Sequence, residues 1–212
     1  MIIAFSFLNL INSGYKAAIE HYNSLTTKDW LHFDVMDGKF VSSTTFNYEL
    51  VKEINTYNKL YADVHLMCEN PIDDIKHYAE AGAKSITFHY EAVKKEEIML
   101  LVNEVRTYDM KVGISIKPNT NVEVLEEFLP YLDNILIMSV EPGKGGQKFI
   151  DSSIDKIKYL RERQDKYHYL ISVDGGINNE TAKLVKEAGA DVIIVGTYLA
   201  NSLKEKTMDD LR

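Results

Sequence analysis

Short runs rich in aliphatic and β-branched residues alternate with amphipathic stretches along the whole chain. Strands are predicted at 2–7, 30–36, 60–67, 85–89, 111–117, 134–140, 169–174 and 192–196. Helical periodicity falls between them at 13–25, 48–57, 71–81, 95–108, 122–129, 152–164 and 180–188, with a short last helix around 203–211. Strict alternation of strand and helix predicts a parallel sheet, and eight such units predict a closed (β/α)8 barrel, an α/β fold of one domain over 1–212. An open doubly wound sheet is the alternative. It would gather its polar residues at one switch point, whereas here they fall at the ends of several strands. Glu80-Ala81-Gly82-Ala83-Lys84-Ser85-Ile86 and Glu187-Ala188-Gly189-Ala190-Asp191-Val192-Ile193 repeat one another. Each glycine is expected to end a helix in the left-handed conformation and turn the chain into the next strand.

Within several strands the polar positions are as regular as the apolar ones. In Leu31-His32-Phe33-Asp34-Val35-Met36 the alternation of an extended chain puts His32, Asp34 and Met36 on one face and Phe33 and Val35 on the other. Asp63-Val64-His65-Leu66-Met67 repeats the arrangement, and Ser172-Val173-Asp174 does so again just before Gly175-Gly176. The apolar face suits a helix layer and the polar face suits the barrel mouth. His32, Asp34, His65 and Asp174 thus reach one place from three strand ends, a donor set for one divalent metal ion. Zinc is the expected ion, and mixed imidazole and carboxylate donors also suit manganese, iron or cobalt. His89, inward beside Thr87, is read as a supporting or structural residue, and Cys68 as a small buried side chain.

Gly143, Lys144, Gly145 and Gly146 follow the sixth strand, Gly175 and Gly176 the seventh, and Gly196 and Thr197 the eighth. Glycine-rich loops let backbone N–H groups close on a phosphate, and three in successive late loops suit the common phosphate cup of such barrels.

Composition narrows the partners. The 212 residues carry a formal net charge of -8 with no basic stripe, which argues against nucleic acid. No apolar run reaches membrane-spanning length, so no membrane partner is expected. The start of the chain lacks a basic segment and a small-residue cleavage site, and reads as a first strand rather than a signal peptide. The single cysteine fits a reducing cytoplasm.

Five blocks in order carry a resemblance: His32-Phe33-Asp34-Val35-Met36-Asp37-Gly38-Lys39-Phe40-Val41, Asp63-Val64-His65-Leu66-Met67, Thr87-Phe88-His89-Tyr90-Glu91-Ala92, Met138-Ser139-Val140-Glu141-Pro142-Gly143-Lys144-Gly145-Gly146-Gln147 and Val173-Asp174-Gly175-Gly176-Ile177. Together they resemble the ribulose-phosphate 3-epimerase family of phosphosugar-binding barrels. The resemblance implies a metal-dependent isomerase interconverting D-ribulose 5-phosphate and D-xylulose 5-phosphate through an enediolate, working as a cytoplasmic homo-oligomer on the pentose phosphate pathway. It assigns the metal to His32, Asp34, His65 and Asp174, and acid/base catalysis to Asp34 and Asp174. That agrees with the chemistry: epimerisation beside a carbonyl needs a Lewis acid and one base on each face of a planar intermediate, here from strands on opposite sides of the barrel. It further implies substrate contacts from Ser6 and His65, and a water-excluding wall of Met36, Met67 and Met138.

The rivals are a hexulose-6-phosphate (allulose 6-phosphate) 3-epimerase, an aldolase or decarboxylase of a related barrel, and a non-catalytic phosphosugar-binding barrel. Related aldolases and decarboxylases commonly carry a lysine where His65 stands, and binding alone needs no paired bases. Departures from the family pattern occur at Phe5, Lys39, Ser42, Ser43, Lys117, Lys144 and Ser172. They are expected to line the pocket and its cover, bearing on which sugar fits.

Overall fold

The computed structural model describes residues 1–10, 14–200, 208 and 211. Its strands are β1 (Ile2–Ser6), β2 (Trp30–Met36), β3 (Tyr61–Met67), β4 (Ser85–His89), β5 (Lys111–Ile116), β6 (Asn134–Met138), β7 (Leu170–Asp174) and β8 (Val192–Val195). They pair in chain order, all parallel, and β8 closes on β1. The helices outside are α1 (Tyr15–Leu25), α2 (Tyr48–Asn55), α3 (Ile72–Glu80), α4 (Ile98–Thr107), α5 (Ser153–Tyr167), α6 (Asn179–Ala188) and α7 (Thr197–Ala200). The closed barrel is the expected architecture.

Outward strand residues such as Phe33, Val35, Val64 and Leu66 are buried in the layer between sheet and helices. Inward, Ala4, Trp30, Leu136, Met138, Val140, Val192 and Ile194 form a separate core in the barrel's interior. The ladders are unequal. β2 and β3 pair over seven positions, from Trp30–Tyr61 to Met36–Met67, whereas β7 and β8 pair over three, from Ser172–Val192 to Asp174–Ile194. Gly82 and Gly189 end their helices at φ 91° and 110°, as the repeated sequence predicts.

Four strands stop short of their predicted ends, and polar groups past those ends account for two of them. The Lys117 amide leaves the ladder for the Glu91 carboxylate, and the Ser139 hydroxyl bonds the carbonyls of Asp174 and Gly175. The expected helix at 122–129 is instead two 3-10 turns, Val122–Leu125 and Leu129–Tyr131. Pro130 disfavours α geometry at Leu129, and the buried residues Val122, Leu125 and Phe128 recur every third position, the 3-10 period. Ser13 lies outside the described residues, and so does the expected helix at 203–211 apart from Met208 and Leu211. Among the described residues no helix is long and apolar enough to cross a membrane.

Candidate active site

Register assembles the cluster. In the β2–β3 ladder Asp34 lies beside His65 and His32 beside Asp63, so alternation turns all four inward together. Asp174 ends β7, next to Met138 of β6. One donor atom from each of His32, Asp34, His65 and Asp174 lies within 4.8 Å of the others. Asp34 and Asp174 come from strands three steps apart around the eight-stranded ring, against a maximum of four. β8 and β1 stand between their strands on one side and β3 to β6 on the other.

The imidazoles are held from behind. The Asp63 carboxylate faces His32 Nδ1 at 2.7 Å and also accepts from the Ser85 hydroxyl. A carboxylate only accepts, so His32 Nδ1 carries a proton. Nε2 is then buried with no hydrogen-bond partner, 3.2 Å from Asp34 Oδ1 without hydrogen-bond geometry. An orphaned imidazole nitrogen aimed at a carboxylate beside a second imidazole and a second carboxylate fits a divalent cation. His65 Nδ1 lies 3.2 Å from the same Asp34 oxygen, and Ser6 Oγ donates to Asp34 Oδ2 at 3.1 Å.

The electrostatics separate the two aspartates. Burial would raise the pKa of Asp34, but His32 and His65 outweigh it and hold the carboxyl far below the usual range. Burial and repulsion from Asp34 lift Asp174 to about 7. Burial alone would lower His32, yet Asp34 and Asp63 hold it well above its usual value. His65 is lowered, chiefly by burial.

Above the cluster a cleft of about 610 Å³, its open mouth included, is lined by Ser6, Met36, Met67, Met138 and the carboxylates of Asp34 and Asp174. Gly143, Lys144, Gly145, Gly146, Gly175, Gly176, Gly196 and Thr197 line it as well, so the three glycine loops meet at this cleft. His65, expected to touch substrate, is fully buried behind Asp34 and does not line the cleft. Of the departures from the family pattern only Lys144 lines it. Lys39, Ser42 and Ser43 sit on the loop after β2, Phe5 stacks on Tyr22 outside the sheet, Ser172 bonds Asn134 inside the barrel, and the Lys117 amine lies over the Phe40 ring.

Sequence reasoning left out Asp63 and Glu91. Asp63 was readable, since it shares the inward parity of His65. Glu91 was not, because it lies past the end of β4 and reaches back: its Oε2 stands 3.3 Å from His89 Nδ1, and its Oε1 accepts from the Lys117 amide at 2.8 Å and from the Thr120 hydroxyl. Burial opposes the Glu91 charge, but these donors outweigh it and bring its pKa to about 2. A carboxyl with a depressed folded pKa contributes stability above its unfolded value, and that contribution disappears as pH falls through the folded one. Wild-type stability should therefore drop between about pH 5 and about pH 3 more steeply than that of Glu91→Gln. Urea unfolding of both metal-free proteins at the two pH values checks this.

A model of the ribulose-phosphate 3 epimerase family matches residues 2–200. The ribulose-phosphate 3-epimerase of Treponema pallidum is 41% identical over 184 residues, 85% of this chain and 84% of that protein. The protein of the same name from Mycobacterium tuberculosis is 40% identical over 171 residues, 80% of this chain and 74% of that one. Among solved structures, a 3-hexulose-6-phosphate synthase superposes with a TM-score of 0.68 at 13% identity, covering 100% of this chain and 98% of that one. A tryptophan synthase α-subunit from Pyrococcus furiosus superposes with a TM-score of 0.68 at 16% identity, covering 99% and 96%. These two likenesses show the shared barrel fold. The match along nearly the whole chain places this protein in the ribulose-phosphate 3-epimerase family.

Proposed function

We propose that the chain is a metal-dependent 3-epimerase interconverting D-ribulose 5-phosphate and D-xylulose 5-phosphate. The observation that carries the reading is the pair of cleft-lining carboxylates, Asp34 and Asp174, whose surroundings push their proton affinities apart. One takes the proton from carbon 3 while the other, protonated, delivers one to the opposite face, and the roles reverse in the back reaction. Ser6 Oγ orients Asp34 through its hydrogen bond. Met36, Met67 and Met138 keep water from the planar intermediate, and the glycine loops hold the phosphate.

His32, His65, Asp34 and Asp174 would hold the metal, zinc by preference with manganese, iron or cobalt also suited to the donors. When bound, the cation supplies Lewis acidity to the substrate's carbonyl and neighbouring hydroxyl oxygens. One barrel domain with a single, buried cysteine suits a reducing compartment such as the cytoplasm.

Assaying the purified protein against pentulose and hexulose phosphates side by side, with elemental analysis, tests the proposal. Faster turnover of ribulose 5-phosphate, one metal per chain and loss of activity in a strong chelator are expected. Preference for a hexulose phosphate overturns the substrate, and tight phosphosugar binding without turnover overturns the enzyme.

Lys144 is exposed on the loop that Gln147 ties to the carbonyls of Glu141 and Lys144 at 2.6 and 2.8 Å. Its charge should strengthen phosphate binding only modestly, by up to about fivefold, as screened surface charges do. Lys144→Phe should raise KM by that factor at low salt, and the gap should close as salt rises.

A further inference from the structure

The Phe40 ring is gripped where the ends of several strands meet. Phe40 belongs to the loop after β2, and its side chain packs against the cluster of Met36, Val41 and Met67. The His89 ring at the end of β4 lies against it, with centroids 4.7 Å apart. The amine of Lys117, the first residue past β5, stands over the Phe40 ring at 4.0 Å from its centroid. Phe40 and Lys117 are both half-buried. The main chain that carries the amine is fixed from two directions. The Lys117 amide donates to Glu91 Oε1 at 2.8 Å, and the Lys117 carbonyl accepts from the Lys156 amine of α5 at 3.0 Å. The same Lys156 amine donates to the carbonyls of Pro118 and Thr120 at 2.6 and 2.7 Å, so the turn swings away only by giving up all three bonds.

We propose that Lys117 is a positioning residue: its ammonium holds the Phe40 ring by a cation–π contact and so keeps the methionine wall of the cleft in place. The inference rests on the reading of Met36 and Met67 as the wall beside the reacting carbon. A lysine ammonium over an aromatic face is attracted by the ring quadrupole, more strongly where water is kept away. Methionine is unbranched and flexible, so a methionine wall takes its shape from its packing neighbours. Met36 and Met67 line the cleft, while neither Phe40 nor Lys117 does. An effect of Lys117 on the reaction therefore passes through the ring and not through contact with the substrate. The Phe40 amide donates to the Asp37 carboxylate at 2.9 Å, a bond that fixes the main chain and leaves the direction of the ring to its side-chain contacts.

The attraction needs both the charge and the aromatic face. Lys117→Met keeps an unbranched apolar stem and removes the charge. Lys117→Arg keeps the charge and stacks on aromatic faces at least as well. Phe40→Leu removes the face and leaves an apolar side chain against the methionines. Lys117→Met should therefore lower kcat for ribulose 5-phosphate about three- to thirtyfold, the span of a half-buried cation–π contact. KM should hardly move, because the glycine loops and not the methionines take the phosphate. Lys117→Arg should restore kcat, and Lys117→Met should add no further loss to Phe40→Leu.

The test is steady-state kinetics of these variants and of the Lys117→Met, Phe40→Leu double variant, as full-length proteins. It is paired with methyl NMR of the methionines, assigned with Met36→Leu and Met67→Leu. At least one of the Met36 and Met67 methyl signals should shift in Lys117→Met and stay in place in Lys117→Arg. Wild-type kcat in Lys117→Met overturns the proposal, and so does a loss that arginine does not repair. An equal loss on adding Lys117→Met to Phe40→Leu overturns it too, because the charge would then act without the ring. If Lys117→Met does not fold, Lys117→Gln takes its place in every comparison. A wild type that does not epimerise refutes the proposed function, while the methyl signals still decide the clamp, and signals unmoved in Lys117→Met overturn it.

Discussion

Asp34→Asn and Asp174→Asn should each lower kcat/KM for ribulose 5-phosphate by at least about a hundredfold, the usual contribution of a positioned acid or base. The two losses should not multiply in the double variant, because two-base epimerisation fails once either proton transfer is removed. Each carboxylate is also a candidate metal donor, so metal content has to be measured beside the rates. The stereochemistry separates the explanations. A variant that keeps its metal and one base can still exchange the carbon 3 proton of one epimer with deuterated water without inverting it. Metal loss abolishes exchange with both epimers. Wild-type epimerisation by either metal-replete variant would refute the assignment of two opposed bases.

Gly176→Ala should be the most damaging single-methyl change in the cleft wall. A Cβ there would stand 2.5 Å from the backbone nitrogen of Phe149 and 2.8 Å from its Cα, so main chain rather than a pliable side chain has to move. The turn has little room to give. The Ser139 hydroxyl holds the carbonyls of Asp174 and Gly175, and the Thr181 hydroxyl donates to the Gly176 carbonyl at 3.0 Å. Overpacking of this kind costs typically 1–3 kcal/mol. A displacement of about 1 Å in a substrate-positioning loop costs up to about a hundredfold in rate. Gly14→Ala is the control. It shares the positive φ, at 77° against 63°, but its Cβ would meet nothing within 4 Å. Thermal unfolding should show a loss for both and a larger one for Gly176→Ala. KM for the phosphosugar should rise in Gly176→Ala alone.

The barrel and the inner residues of its site were legible because both follow from a period of two. Once β2 is extended, His32 and Asp34 must share a face, and the same holds for Asp63 with His65. What eluded sequence reasoning has no period. The 3-10 turns at Val122–Leu125 and Leu129–Tyr131 depend on Pro130 and on three-residue burial spacing in a segment too short to settle its own helix type. Glu91 serves the site from beyond the end of its strand, through bonds to residues some 26 to 29 positions later. The place of Lys39, Ser42 and Ser43 away from the cleft reflects how the loop after β2 folds, tied through the Asp37 carboxylate to the amides of Lys39, Phe40 and Glu69.

The unequal strand ladders bear on how the molecule opens. Three of the four clustered donors come from the seven-pair β2–β3 ladder, while Asp174 ends β7, whose seam with β8 is only three pairs long. The β1–β2 ladder is equally short, so the barrel is a hoop with two weak joints, and the donor set bridges both from its strongest staves. An ion seated there would act as a clasp, so the same atoms that prepare the chemistry would keep the hoop from springing apart between β7 and β2.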